Sequence, residues 1–204
     1  MDVPGIGPKR AKMIMESYAE QAQQREAMVF LQSYGVTPNL AVKIFKQYGE
    51  NVQQVIRQNP YRLVEDIEGV GFKTADKIAA SLGIGMDSEY RLSAGVQHTL
   101  AEATNGSGHC YLPRAELSLY AQRLLGNEPE LIEHTIDSLI LSRRLIAQML
   151  PGEGEEIVAV YLPQTYHAEV EVARRLREMI DAMPGTMATD LSAQIDELER
   201  LEGV

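Results

Sequence analysis

Three short phrases in this chain set glycine, a small aliphatic residue and a second small residue directly before a helix-forming run. Val3-Pro4-Gly5-Ile6-Gly7-Pro8-Lys9-Arg10-Ala11 is the first, Tyr34-Gly35-Val36-Thr37-Pro38-Asn39-Leu40-Ala41 the second, and Glu68-Gly69-Val70-Gly71-Phe72-Lys73-Thr74-Ala75 the third. Each runs glycine, aliphatic, glycine or threonine, three variable residues, alanine, and continues through lysine or methionine into isoleucine. The chemistry offered is anion binding by the main chain. Glycine lets the chain turn at positive φ, and the first turn of the helix that follows leaves its N–H groups unpaired. Those amides and the positive end of the helix dipole can seat a phosphate oxygen. Such contacts read backbone rather than bases. The candidate phosphate-binding residues are Gly5, Gly7 and Lys9 in the first phrase and Gly69, Val70, Gly71, Lys73, Thr74 and Lys77 in and after the third. In the second phrase Thr37 replaces a glycine and Asn39 the lysine, which suits a structural partner better than a binding site.

The elements that must position these residues are pairs of short helices, a helix-hairpin-helix pattern repeated. Before the first turn, Met1 to Pro4 cannot supply a leading helix, so that unit is expected to be truncated and the chain to be a piece of something longer. Its second helix is predicted from Pro8 to about Ala22. The second unit has a leading helix near Arg25–Ser33 and a trailing one over Pro38–Tyr48, stopped by Gly49. A connector over about Asn51–Gln58 ends at Asn59-Pro60, and the third unit is predicted as Tyr61–Ile67 and Phe72–Leu82. Val42, Ile44, Val55, Ile56, Val64, Ile78 and Leu82 are the expected core. Gly69-Val70-Gly71-Phe72-Lys73-Thr74 is not a P-loop, because the required earlier glycine is missing and a helix rather than a strand precedes it.

The formal net charge of −10 opposes binding to a polyanion until it is divided along the chain. Residues 1–83 hold 10 Lys+Arg against 9 Asp+Glu, and residues 84–204 hold 9 against 20. All six lysines, Lys9, Lys12, Lys43, Lys46, Lys73 and Lys77, lie in the first part. Attraction to nucleic acid can reside only there, since binding follows the local field of a face. The length and 45% hydrophobic content suit one large or two to three small cored domains. No stretch approaches a membrane span and no signal pattern opens the chain. The single cysteine, Cys110, excludes an internal disulfide framework and suits a cytoplasmic location.

The second half reads as a winged-helix-like α+β domain. An amphipathic helix over Ser88–Ala103 carries Leu92, Val96, Leu100 and Ala103 on one stripe. Extended Cys110–Pro113, a helix over Arg114–Leu125, a helix over Glu128–Ser142 and strands near Leu145–Leu150 and Ile157–Leu162 follow. The second of those helices begins with Glu128, Glu130, Glu133 and Asp137, so intramolecular or partner docking is favoured over a groove-reading role. Only Arg143 and Arg144, at its far end, could meet phosphate. Val160-Tyr161-Leu162-Pro163 echoes Cys110-Tyr111-Leu112-Pro113 and starts a helix over Gln164–Met183 with a basic edge of Arg174, Arg175 and Arg177. A last helical piece over Asp190–Leu201 reads as linker. The expected organisation is mostly α: a truncated hairpin over 1–23, a tandem helix-hairpin-helix domain over 24–84, a winged-helix-like domain over 85–165, and a C-terminal helical linker over 166–204.

No catalytic constellation is present, and no metal site is expected. His98, His109, His134 and His167 share no metal-ligand spacing, and Cys110 beside His109 fits a strand residue rather than a nucleophile.

Glu26–Val36, Ile44-Phe45-Lys46-Gln47-Tyr48-Gly49, Asn59–Leu63 and Ile67–Asp76, with the two Tyr-Leu-Pro passages, resemble the region ahead of the motor in RecD-like helicases (the exodeoxyribonuclease V alpha-chain and TraA family) of the type that works without RecB and RecC partners. The resemblance implies a non-sequence-specific DNA-binding accessory segment, active in DNA repair and recombination, followed by two RecA-like ATPase domains that move 5′ to 3′. It implies ATP and Mg²⁺ for that motor, with no cofactor in the present chain, which reaches no Walker motif. It carries over to Gly5, Gly7, Lys9, Gly69, Gly71, Lys73 and Thr74. The implied partners are DNA, single-stranded or at a single-strand/duplex junction, and the parent's own motor domains. Two other readings stay open: a protein-docking collar that positions the motor or recruits an unidentified protein without touching DNA, and a targeting module of a repair nuclease or junction processor.

Overall fold

The computed structural model describes residues 7–151, 156–182 and 200. The chain divides into two compact units, residues 1–162 and 163–204. Among the described residues the first unit is mostly helical, with one three-stranded antiparallel sheet.

Helix α1 runs unbroken over Pro8–Ser33, with Pro8 at its first turn. The repeat pattern predicts two helices here, one ending near Ala22 and another starting near Arg25, and the structure joins them. The segment between them, Gln21-Ala22-Gln23-Gln24, holds only good helix formers and no glycine or proline, so nothing interrupts the hydrogen-bond ladder. Helix α2 (Pro38–Tyr48), a 3₁₀ turn (Gly49–Asn51), α3 (Val52–Gln58), α4 (Arg62–Asp66) and α5 (Phe72–Ser81) follow. Ala27, Leu31, Ala41, Ile44, Val52, Ile56, Leu63, Ile67, Val70 and Ile78 close into one core. Of the aliphatics expected inside, Ile44, Ile56 and Ile78 are fully buried, whereas Val42, Val55, Val64 and Leu82 are half-buried, Leu82 against this core and Val64 against the other.

Helix α6 (Glu89–Ser107) starts a second core with α7 (Arg114–Leu125) and α8 (Pro129–Leu141). Strands β1 (Leu112–Pro113), β2 (Ile146–Pro151) and β3 (Glu156–Tyr161) pair in the order β1-β3-β2. Leu112 sits opposite Val160 and Ala147 opposite the same residue on the other side. The two echoing Tyr-Leu-Pro passages therefore lie on adjacent strands, each leading through its proline into a helix. Residues 152–155, between β2 and β3, lie outside the described residues.

Helix α5 belongs to both cores. Ile78 faces the first, while Phe72, Ala75 and Ala79 pack with Leu92, Val96 and Leu125 in the second. Phe72 lies between Tyr61 and His98, with ring centroids 5.8 and 5.4 Å away. Burying these faces at about 25 cal/mol per Å² of apolar surface fixes the direction of α5 from two sides.

The second unit is described as α9 (Pro163–Ala182). Arg174 pairs with Glu171 at 2.6 Å and with Glu178, and Arg175 with Glu171 at 2.7 Å. The hydrogen bond from Arg174, then that from Arg175, pulls the Glu171 carboxyl down to about 2. Two of the three arginines of the expected basic edge are thus neutralised by their own helix. The expected helix over Asp190–Leu201 lies outside the described residues apart from position 200.

Candidate nucleic-acid interface

The third glycine phrase forms the turn between α4 and α5. Ile67 ends α4 in extended conformation, Gly69 takes φ +95°, and Gly71 caps α5 at φ −92°, ψ 167°. Only the first glycine of the pair needs the left-handed region; the second occupies ordinary extended backbone. Ile67 and Val70 are each buried, anchoring the turn on both sides of Gly69. The Val70 N–H donates to the Ile67 carbonyl at 3.1 Å. Val70 is therefore an anchor, and its amide is engaged within the turn.

The next amides are different. The first bonds of α5 run from the Thr74 N–H to the Gly71 carbonyl at 3.0 Å and from the Ala75 N–H to the same oxygen at 3.3 Å. The N–H groups of Gly71, Phe72 and Lys73 have no acceptor among the described residues. A methyl group added at Gly69 or Gly71 would meet nothing within 4 Å, so both glycines border open space. Lys73 and Lys77 lie one turn apart on α5 and are both exposed, and Thr74 between them is half-buried.

The first phrase supplies less. Gly7 caps α1 at φ −76°, ψ 164°, and its carbonyl receives the Arg10 and Ala11 N–H groups, both at 3.0 Å. Pro8 has no amide hydrogen, and the Lys9 amide has no acceptor among the described residues. Lys9 is exposed, and Gly5 lies outside the described residues. The second phrase repeats the path of the third: Gly35 at φ +79°, a buried Val36, and Thr37 as an extended cap. There Pro38 removes the amide that Phe72 offers in the third phrase, and Asn39 stands where Lys73 does.

Charge sorts the same way. Asp66 accepts from the Tyr48 hydroxyl at 2.6 Å and pairs with Arg62 at 3.5 Å. Asp76 is held by Tyr61 and Arg91, Glu65 by Arg144, and Glu26 by Gln53. Among the described residues only Lys12 of the six lysines lies within ion-pair distance of a carboxylate, Glu16 at 3.8 Å. Most acids of the first part are occupied internally and most of its lysines are not. The sequence pattern does not single out Lys43, whose Nζ donates to the Glu68 carbonyl at 3.3 Å beside the third turn. It stands eight residues after Gly35, as Lys77 does after Gly69, and that spacing was the available signal.

The second core offers little to phosphate. Arg114 bonds Glu133 at 2.8 Å and Asp137 at 2.6 Å, and its hydrogen bond holds the Asp137 carboxyl below the usual range. Arg144 bonds Glu65 at 2.7 Å and Gln97 at 2.6 Å, so the reading that it could meet phosphate gives way to an internal role. Arg143 stays exposed, at φ +59°. Among the described residues no group of three or more His, Cys, Asp or Glu could hold a metal ion, and no helix is long and apolar enough to cross a membrane.

Residues 20–111 match the family described as the ATP-dependent RecD2 DNA helicase HHH domain. Over 189 residues, 90% of this chain, the sequence is 27% identical to the ATP-dependent RecD2 DNA helicase of Deinococcus radiodurans. The chain spans 26% of that relative's length. Residues 20–111 are thus similar to the helix-hairpin-helix domain of RecD2-type helicases, and most of the chain aligns with part of a RecD-like helicase.

Proposed function

We propose that this chain is a DNA-binding accessory region of a 5′-to-3′ RecD-like helicase, holding the sugar–phosphate backbone near a single-strand/duplex junction. The observation that carries the reading is the row of three unpaired amides at Gly71, Phe72 and Lys73 opening beside Lys73 and Lys77. A phosphate there would receive two or three N–H bonds, favourable dipole and lysine charge, none of which depends on base identity. Gly7 and Lys9 form a weaker second seat. In this reading α1–α2 and α4–α5 are tandem hairpins, and α6, β1, α7, α8, β2 and β3 are a winged-helix-like body that docks on protein rather than DNA. ATP and Mg²⁺ serve motor domains of the whole protein, with which this region would work.

Fluorescence anisotropy of a labelled oligothymidine, titrated at several salt concentrations, tests the reading. Contact with three or four phosphates at ~0.7 per contact gives a log-log slope of about −2 to −3. Lys73→Glu should weaken binding to every sequence alike. A slope near zero, or affinity indifferent to Lys73→Glu, sinks the reading.

One feature favours the docking-collar alternative. Met13, Ile14, Met15 and Tyr18 on the first half of α1 are 50–75% exposed, an apolar surface without a cover among the described residues of this unit. Salt-insensitive association with a protein and no retention of DNA would select that alternative.

A further inference from the structure

We propose that Lys43, carried by the other helix pair, is a third cation of the phosphate seat at the Gly69–Lys73 turn. The inference rests on the backbone-binding reading above and extends it across both hairpins. Lys43 lies in the middle of α2, beyond the first turn to which that helix's own dipole field is confined. Its ammonium instead reaches the third turn, 25 residues on, where it donates to the Glu68 carbonyl at 3.3 Å. Glu68 immediately precedes Gly69, so the charge is held at the start of the turn that leads to these amides.

The identity of the acceptor matters. A neutral carbonyl takes one of three ammonium hydrogens and cancels none of the charge. Among the described residues no carboxylate lies within ion-pair distance of Lys43, although Glu68 itself carries one. What remains is a positioned cation with two hydrogens to give, beside a site whose amides can supply only partial charges. An oxygen bound to the α5 amides would take charge from α2 as well as from Lys73. Ile44 and Ile78, adjacent in sequence to Lys43 and Lys77, share the first core and keep the two helices in this relation.

The alternative explanation is a staple, in which Lys43 only supports the turn. Lys43→Gln separates the two, because the amide can still donate to Glu68 but carries no charge. Lys43→Arg keeps both. The full 204-residue chain and these variants, with Lys73→Gln and the double variant, would be titrated with labelled oligothymidine across about 50 to 200 mM salt. Thermal melts would establish that each is folded.

Lys43→Gln is expected to lower affinity about threefold or more and to reduce the salt slope by about 0.7, with Lys43→Arg close to the parent. The double variant should lose less than the product of the single losses, since both cations address the same phosphate group. Parental affinity in Lys43→Gln overturns the inference, and so does weakening with an unchanged slope, which is the signature of a staple. If the parent binds DNA but Lys73→Gln leaves binding untouched, the seat itself is wrong and the broader reading fails first.

Discussion

The Arg91 Nε lies 2.9 Å from Asp76 Oδ1, and Arg91 Nη2 lies 3.2 Å from Asp76 Oδ2. This forked pair joins α5, which carries the open amides, to α6 of the second core. Arg91 is only 6% exposed, and its Nη1 donates to the Met86 and Leu125 carbonyls and to Asn127 Oδ1 at 3.1–3.2 Å. The hydroxyl of Tyr61, the residue just before α4, donates to the same Asp76 oxygen at 2.6 Å. The turn between α4 and α5 is thus fixed from behind by one carboxylate.

Asp76→Asn should destabilise the protein by about 3 kcal/mol, because it leaves a buried guanidinium without its counter-charge. Arg91→Met should cost less, since Asp76 keeps the Tyr61 hydroxyl and is partly solvated. Urea denaturation of both variants checks the order; equal losses would show that compensating the buried charge is not what holds the two helices together.

Tyr61 stays protonated well above the ordinary tyrosine value, first because burial disfavours the phenolate and second because its hydroxyl donates to Asp76. A raised folded-state value gives stability that is complete below the unfolded tyrosine pKa of about 10 and declines as pH rises above it. Tyr48, hydrogen-bonded to Asp66, is shifted in the same direction and for the same leading reason. Tyr61→Phe should therefore flatten the loss of stability between about pH 9 and pH 11 relative to the parent. Denaturation midpoints at the two pH values measure it, and an unchanged slope would contradict it.

Gly69→Ala and Gly71→Ala should separate folding from binding. At Gly69 the positive φ makes alanine cost about 1–2 kcal/mol although space is free. At Gly71 the backbone is ordinary, so stability should change by less than about 1 kcal/mol. The new methyl would nevertheless stand beside the amides offered to phosphate and lower DNA affinity about fivefold, the worth of one hydrogen bond. Melting temperature and anisotropy measured together decide it; full affinity in Gly71→Ala would mean that the seat is not used.

Gly95→Ala should destabilise by about 1–3 kcal/mol despite alanine's better helix propensity. Its methyl would be driven into Leu125 of α7, against Cδ2, with Cγ at 2.9 Å, and Leu125 is buried without room to retreat. Gly95→Ala with Leu125→Ala should recover part of the loss beyond the sum of the single effects. Thermal denaturation of the three variants measures it.

Local signals made much of the fold legible. The turns at Gly35 and Gly69, the limits of α7 at Arg114 and Leu125, and the stripe of Leu92, Val96 and Leu100 all follow from spacing and breakers, because turn chemistry and helix periodicity act within a few residues. The same reasoning misjudges α1, where repetition of the phrase suggests a break that the helix formers between the two copies do not supply. At the candidate site, sequence locates the glycines and Lys73 but assigns Val70 to the ligand, whereas its amide and side chain are both used inside the turn.

The amino-acid order by itself determined where the turns fall, which helices follow them and on which half the lysines gather. Only the tertiary structure decided which charges remain available: it brings Lys43 to Glu68 across 25 residues and Arg144 to Glu65 across 79, opening one cation toward the turn and closing the other. The physical reason is that a backbone signal acts locally, while the pairing of a side chain depends on which surfaces the two cores press together.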